Sequence, residues 1–87
     1  MSFEIIYAPH FTRKFKRLPE KLQEETLTKI EAFKDVKNHG ALKVHKLRGH
    51  FTGCFSFSVN YKFRIVFEYV SKDEVALLSI GDHKIYD

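Results

Sequence analysis

The sequence predicts an α+β domain in the order β-α-α-β-β-β: a twisted, mainly antiparallel sheet with a helical hairpin packed on one face. Three observations predict it. Pro9 and Pro19 each stand at the head of a stretch with helical apolar spacing. Residues 55–69 alternate apolar with polar side chains in two successive runs. A short β-branched and aromatic segment precedes these elements, and an apolar segment follows them.

The opening segment, residues 3–7 ("FEIIY"), suits a first strand. After Pro9, residues Phe11, Phe15 and Leu18 fall at i, i+4 and i+7 and make one apolar stripe, with Arg13, Lys14, Lys16 and Arg17 around it. Pro19 ends that helix and opens a second over residues 19–37, whose apolar positions are Leu22, Leu27, Ile30 and Phe33. Asn38-His39-Gly40 is the stop signal. Two helices joined at a proline form a hairpin whose apolar face must lie on a sheet.

The alternation fixes how that sheet pairs. Phe55, Phe57 and Val59 form one apolar row, and Phe63, Ile65, Phe67 and Tyr69 form the next. For both rows to face the helices, Phe57 must pair with Ile65 and Val59 with Phe63, around a three-residue loop, Asn60-Tyr61-Lys62. A two-residue loop would set Phe57 opposite Arg64 and split the core. The chosen register puts Ser58 beside Arg64 on the face away from the helices. Residues 71–73 turn the chain into a last strand at 74–80. There Val75, Leu77, Leu78 and Ile80 are apolar on both sides, as in a central strand. Residues 38–50 make the one long loop, a length that in a small domain is often functional.

A chain of 87 residues makes one domain, 1–87, with one modest core. Its 44% hydrophobic and 30% charged residues describe a globular protein and exclude a disordered one. No apolar run reaches the ~18 residues of a membrane span, and the start "MSFEIIYAPHF" lacks the pattern of a signal peptide. Cys54 is the single cysteine, so no internal disulfide forms, and the expected location is the cytoplasm. The formal charge of +4 is unevenly spread. No acid occurs between Asp35 and Glu68, where Lys37, Lys43, Lys46, Arg48, Lys62 and Arg64 lie with three histidines. Such a window attracts a polyanion.

The chemistry is narrowed by what the chain lacks. It has no Gly-rich phosphate loop, no cysteine pair and no helical His/acid spacing for a metal, so no metal or cofactor is expected. A triad of Ser56 or Ser58 with His83 lacks a nucleophile elbow. The remaining set suits RNA, which supplies its own 2′-hydroxyl nucleophile. Such a reaction needs a base, a cation on the phosphate and an acid for the leaving 5′-oxygen. His83, in the terminal "LSIGDHKIYD", titrates near neutrality and can be base or acid. Arg64 can clamp the phosphate, although pairing with Glu68 is its competing assignment. Lys43, Lys46, Arg48, Lys62 and Lys84 are candidate RNA contacts. Tyr86 can stack on a base or stabilise the phosphate, or else plug the core. Cys54 reads as a small buried hydrophobe.

The order strand, helical hairpin, "KLRG", "FSVNYKFRIVFEY" and terminal "IGDHKIYD" resembles the RelE/ParE superfamily of bacterial toxins over essentially the whole chain. "HKLRG" with "GDHKIY" is similar to the YafQ-like branch of ribosome-dependent endoribonucleases. The resemblance implies metal-free cutting of mRNA in the ribosomal A site and an acidic antitoxin as partner. It matches His45 and His83 to two histidines of that branch, Arg64 to the strand arginine of the RelE branch, and Tyr86 to its C-terminal tyrosine. Ser56 and Ser58 depart from it, standing where RelE-type enzymes carry basic residues and the YafQ-like branch an Asp and a His. Lys62 replaces an acid of the latter. A ParE-like inhibitor of DNA gyrase, which needs no catalytic side chains, is the alternative.

Overall fold

The first strand, β1 (Glu4–Tyr7), leads directly into α1 (Pro9–Lys16), whose first turn tolerates the N–H that Pro9 lacks. The computed structural model describes residues 2–82. After Pro19 comes α2 (Glu20–Phe33), which ends at Phe33 and not at residue 37. The cause is local. Asp35 adopts an extended conformation and its carboxylate accepts from the Lys37 amide, which starts a separate 3₁₀ turn at Val36–Asn38. That amide, with the Lys37 ammonium, holds the Asp35 carboxyl below its ordinary range. The expected stop residues do close the helix, but through side chains. Asn38 Nδ2 donates to the Ala32 carbonyl and His39 Nε2 to the Phe33 carbonyl, both at 2.8 Å.

The inward stripe of α2 also differs from expectation at one position. Thr26, Ile30 and Phe33 are buried, whereas Leu27 is 51% exposed. Positions 22, 26, 30 and 33 keep a straight row on a helix, and residue 27 falls about 100° off it. Thr26 thus carries a hydroxyl into the core, and its Oγ1 has no hydrogen-bond partner. Thr26→Val keeps the branched shape and removes that buried hydroxyl. It is expected to raise stability by about 1 kcal/mol, read as a higher urea midpoint at unchanged slope. An unchanged or lower midpoint would show that the hydroxyl is satisfied.

Among the described residues the sheet has five strands in the order β1-β5-β4-β3-β2, one more than the sequence suggests. The addition is β2 (His45–Lys46), a two-residue edge strand within the long loop, antiparallel to β3 (Phe55–Ser58). A 3₁₀ turn, Gly49–Phe51, follows it. The hairpin of β3 and β4 (Phe63–Tyr69) has the expected register, with Phe57 opposite Ile65 and Ser58 opposite Arg64. Asn60 builds the turn, its Oδ1 accepting from the amides of Lys62 at 2.9 Å and Phe63 at 2.8 Å.

The last strand, β5 (Glu74–Asp82), is central, running antiparallel to β4 and parallel to β1. It extends past the expected end at residue 80. A β-bulge explains its unreadable phase. Phe67 pairs with Leu77 but Val66 with Ser79, so Leu78 is an extra residue. The slip returns Ile80 to the face of Val75 and Leu77, and all three join the core. That core also gathers Phe11 of α1, Ile30 and Phe33 of α2, and Phe57, Val59, Ile65 and Phe67 of the hairpin. Phe33 is stacked on Phe57 at 4.3 Å and on His39 at 4.6 Å, with Phe67 edge-on at 4.8 Å. Among the described residues no helix is long and apolar enough to cross a membrane.

Candidate active site

Strand parity decides which side chains share a face. Since Phe57 and Ile65 pack under the helices, their neighbours in sequence point to the other side of the sheet. Two cross-strand pairs stand there, His45 opposite Ser56 and Ser58 opposite Arg64. Ser56 and Ser58 are two residues apart on β3, so the pairs lie roughly 7 Å apart along the strand. His45 and Arg64 therefore share the helix-free face.

Arg64 is half-buried and does not reach toward Glu68. Its Nη1 donates to the carbonyls of Asn60 at 2.8 Å and Tyr61 at 3.3 Å, which anchors the guanidinium at the hairpin turn. The turn is itself tied to α2, because Asn60 Nδ2 donates to Glu25 Oε1 at 2.8 Å. The charge is thus held by the hydrogen-bonded turn and not by a carboxylate.

His45 is exposed on the edge strand. Its Nδ1 is 2.9 Å from the Lys43 carbonyl, and its Nε2 is 3.4 Å from Ser56 Oγ. Ser56 is fully buried although it lies on the helix-free face, with the imidazole against it. Lys43, Lys46, Arg48 and Lys62 are all exposed. They do not converge equally. Lys46 pairs with Phe55, so alternation directs it to the side opposite His45. Lys62 sits at the turn beside Arg64, its Nζ 5.8 Å from the centre of the Phe63 ring. His83, Lys84 and Tyr86 lie outside the described residues.

One residue of interest was not legible as such. Tyr61, at the hairpin tip, is 93% exposed and next to the carbonyls that hold Arg64. The only signal was its position between Asn60 and Lys62 in the expected turn. The His45–Ser56 contact had no signal, because it depends on β2. Burial, helped by the charge of Glu68, pushes the Cys54 thiol up, so it remains a neutral thiol near pH 7. Among the described residues no three His, Cys, Asp or Glu side chains gather as metal ligands would. On the helical side, Tyr7, Phe11, Thr12, Phe15, Lys16 and Leu27 line an apolar groove of about 360 Å³.

No protein-family model and no curated relative matches the sequence. Solved structures do match, and the fold they define is that of the RelE-like toxins of toxin–antitoxin systems. A chain of the toxin–antitoxin complex RelBE2 from Mycobacterium tuberculosis superposes with a TM-score of 0.72 at 17% identity, covering 95% of this chain and all of that one. The archaeal RelE–RelB complex from Pyrococcus horikoshii OT3 gives 0.73 at 16% identity, covering 98% of this chain and 99% of the other. YafQ from E. coli strain BL21(DE3) gives 0.68 at 14% identity, covering 94% of each.

Proposed function

We propose that this chain is the toxin of a toxin–antitoxin pair, an endoribonuclease that cuts mRNA at the ribosome by 2′-hydroxyl attack without a metal. The observation that carries the reading is the guanidinium of Arg64, braced on turn carbonyls, on the same helix-free face as the imidazole of His45. In this reaction a base takes the 2′-proton and the 2′-oxygen attacks phosphorus. The 5′-oxygen then leaves with a proton from the acid, giving a cyclic phosphate and a 5′-hydroxyl end. Arg64 neutralises the charge that builds on the non-bridging oxygens. His83 is base or acid and His45 the second proton-transfer group. Tyr86 stabilises the phosphate or stacks on a base, and Lys43, Arg48, Lys62 and Lys84 grip the backbone, whereas Lys46, directed to the other side of the sheet, is left out of this grip. DNA, with no 2′-hydroxyl, is not a substrate.

The partner is an acidic antitoxin, as the complexes of similar fold suggest. The groove on the helical side, lined by Tyr7, Phe11, Phe15 and Leu27 together with the cation Lys16, suits an apolar segment carrying acidic residues. One observation favours the gyrase-inhibitor reading instead. Ser56 and Ser58 put no cation on β3, and Ser56 is buried.

Induction of the chain in growing bacteria, followed by primer extension on mRNA, separates the two. The nuclease reading expects new 5′ ends within codons, intact chromosomes, and growth arrest reversed by a co-expressed antitoxin. Intact mRNA with broken chromosomes would establish the gyrase reading and reject the nuclease.

A further inference from the structure

We propose that the main-chain carbonyl of Lys43 and the hydroxyl of Ser56 form a cradle that fixes His45 in its Nδ1–H tautomer, leaving Nε2 as the one nitrogen that exchanges protons. Ser56 is on this view a positioning residue. Its catalytic meaning rests on the reading of His45 as a proton-transfer group, but the tautomer belongs to the free protein.

The Nδ1 contact is decisive. A carbonyl oxygen only accepts hydrogen bonds, so at 2.9 Å from the Lys43 carbonyl Nδ1 must hold a proton. This carbonyl is aimed by an uncommon backbone. Lys43 has φ 58°, and among the described residues it is the one non-glycine in the left-handed region. The turn folds its carbonyl back toward the ring two residues on. A left-handed non-glycine residue beside a candidate proton-transfer group is where backbone strain commonly has a use.

With Nδ1 committed, the neutral ring presents a lone pair at Nε2, and Ser56 Oγ lies 3.4 Å away. That is long for a hydrogen bond, so it orients the ring more than it holds it. Ser56 is fully buried, and the imidazole is the partner of its hydroxyl. A hydroxyl suits both protonation states. It donates to the neutral Nε2, and after rotation accepts from a protonated one. A carboxylate would serve only the cation, and an ammonium only the neutral ring. Serine therefore holds one ring orientation while the proton comes and goes. The contact at 3.4 Å also yields readily to an incoming substrate hydroxyl.

The test is two-bond ¹H–¹⁵N correlation spectroscopy of the ¹⁵N-labelled full chain, at a pH above the titration of the ring. The expected spectrum of His45 has a protonated-type shift at Nδ1 and an unprotonated-type shift at Nε2. Lys43→Gly, which keeps the left-handed turn and removes the ammonium, should preserve that pattern. Ser56→Ala, which leaves the Lys43 carbonyl in place, should keep the Nδ1–H pattern but shift the Nε2 resonance and loosen the ring's orientation. An Nε2–H tautomer in the unaltered protein overturns the proposal, and a Ser56→Ala spectrum identical to it overturns the part given to Ser56. Absence of RNA cleavage with the Nδ1–H pattern intact would instead reject the nuclease reading and leave the cradle standing.

Discussion

Under the proposed nuclease function, Arg64→Ala is expected to leave a folded protein whose RNA cleavage is lower by about 100- to 1000-fold, the usual cost of removing one preorganised donor from a developing oxyanion. The guanidinium is fixed in advance by Nη1 bonds to the Asn60 and Tyr61 carbonyls, so little ordering remains to be done when RNA arrives. Loss of those bonds should cost only about 1–2 kcal/mol of stability. The turn keeps its own brace, since Asn60 still accepts from Lys62 and Phe63 and still donates to Glu25. Arg64→Lys should restore part of the rate, because an ammonium supplies charge without the planar fork. The measurements are a urea titration for folding and cleavage of a reporter mRNA in a translating extract. An alanine variant that folds and cuts at the original rate would reduce Arg64 to a brace for the turn.

Phe33→Ala is expected to be the most damaging single truncation in the core. The ring is completely buried and meets Phe57, His39 and Phe67 with centroids within 5 Å, and Phe3 at 6.0 Å. Truncation of a buried phenylalanine costs about 3–5 kcal/mol. A domain of this length has roughly 4–13 kcal/mol in total. The melting temperature should therefore fall by roughly 15–30 °C, or the variant should not fold at 37 °C. Leu27→Ala, on the same helix but 51% exposed, is the matched control and should move stability by less than about 0.5 kcal/mol. A Phe33→Ala loss as small as that of Leu27→Ala would mean that the aromatic cluster does not hold the helix to the sheet.

Those two residues also mark what the sequence could and could not disclose. The pairing of Ser58 with Arg64 was legible because a period-two pattern on both strands leaves one register that buries every aromatic ring. The last strand resisted phasing because the bulge at Leu78 breaks the period in mid-strand, and a bulge has no marker in a run of aliphatic residues. The second helix was read too long because no glycine or proline breaks the chain between Phe33 and Asn38. Neither propensity nor spacing tells that Asp35 will cap a new turn. The strand at His45–Lys46 escaped because two polar residues show no alternation; only the unpaired edge of β3 selects them. With it went the His45–Ser56 contact, the most specific geometry on the helix-free face. His83 and Tyr86 rest on motif resemblance, outside the described residues.

The placement of β5 between β1 and β4 has a consequence for how the molecule comes into being. Its central strand is the last of the described elements to leave the ribosome. Until residues 74–82 emerge, β1 has no strand to pair with, and the hairpin of β3 and β4 meets the preceding helices through α2, by Phe33 on Phe57 and Phe67 and by Asn60 to Glu25. The five strands therefore join into one sheet only after residues 74–82 have been made.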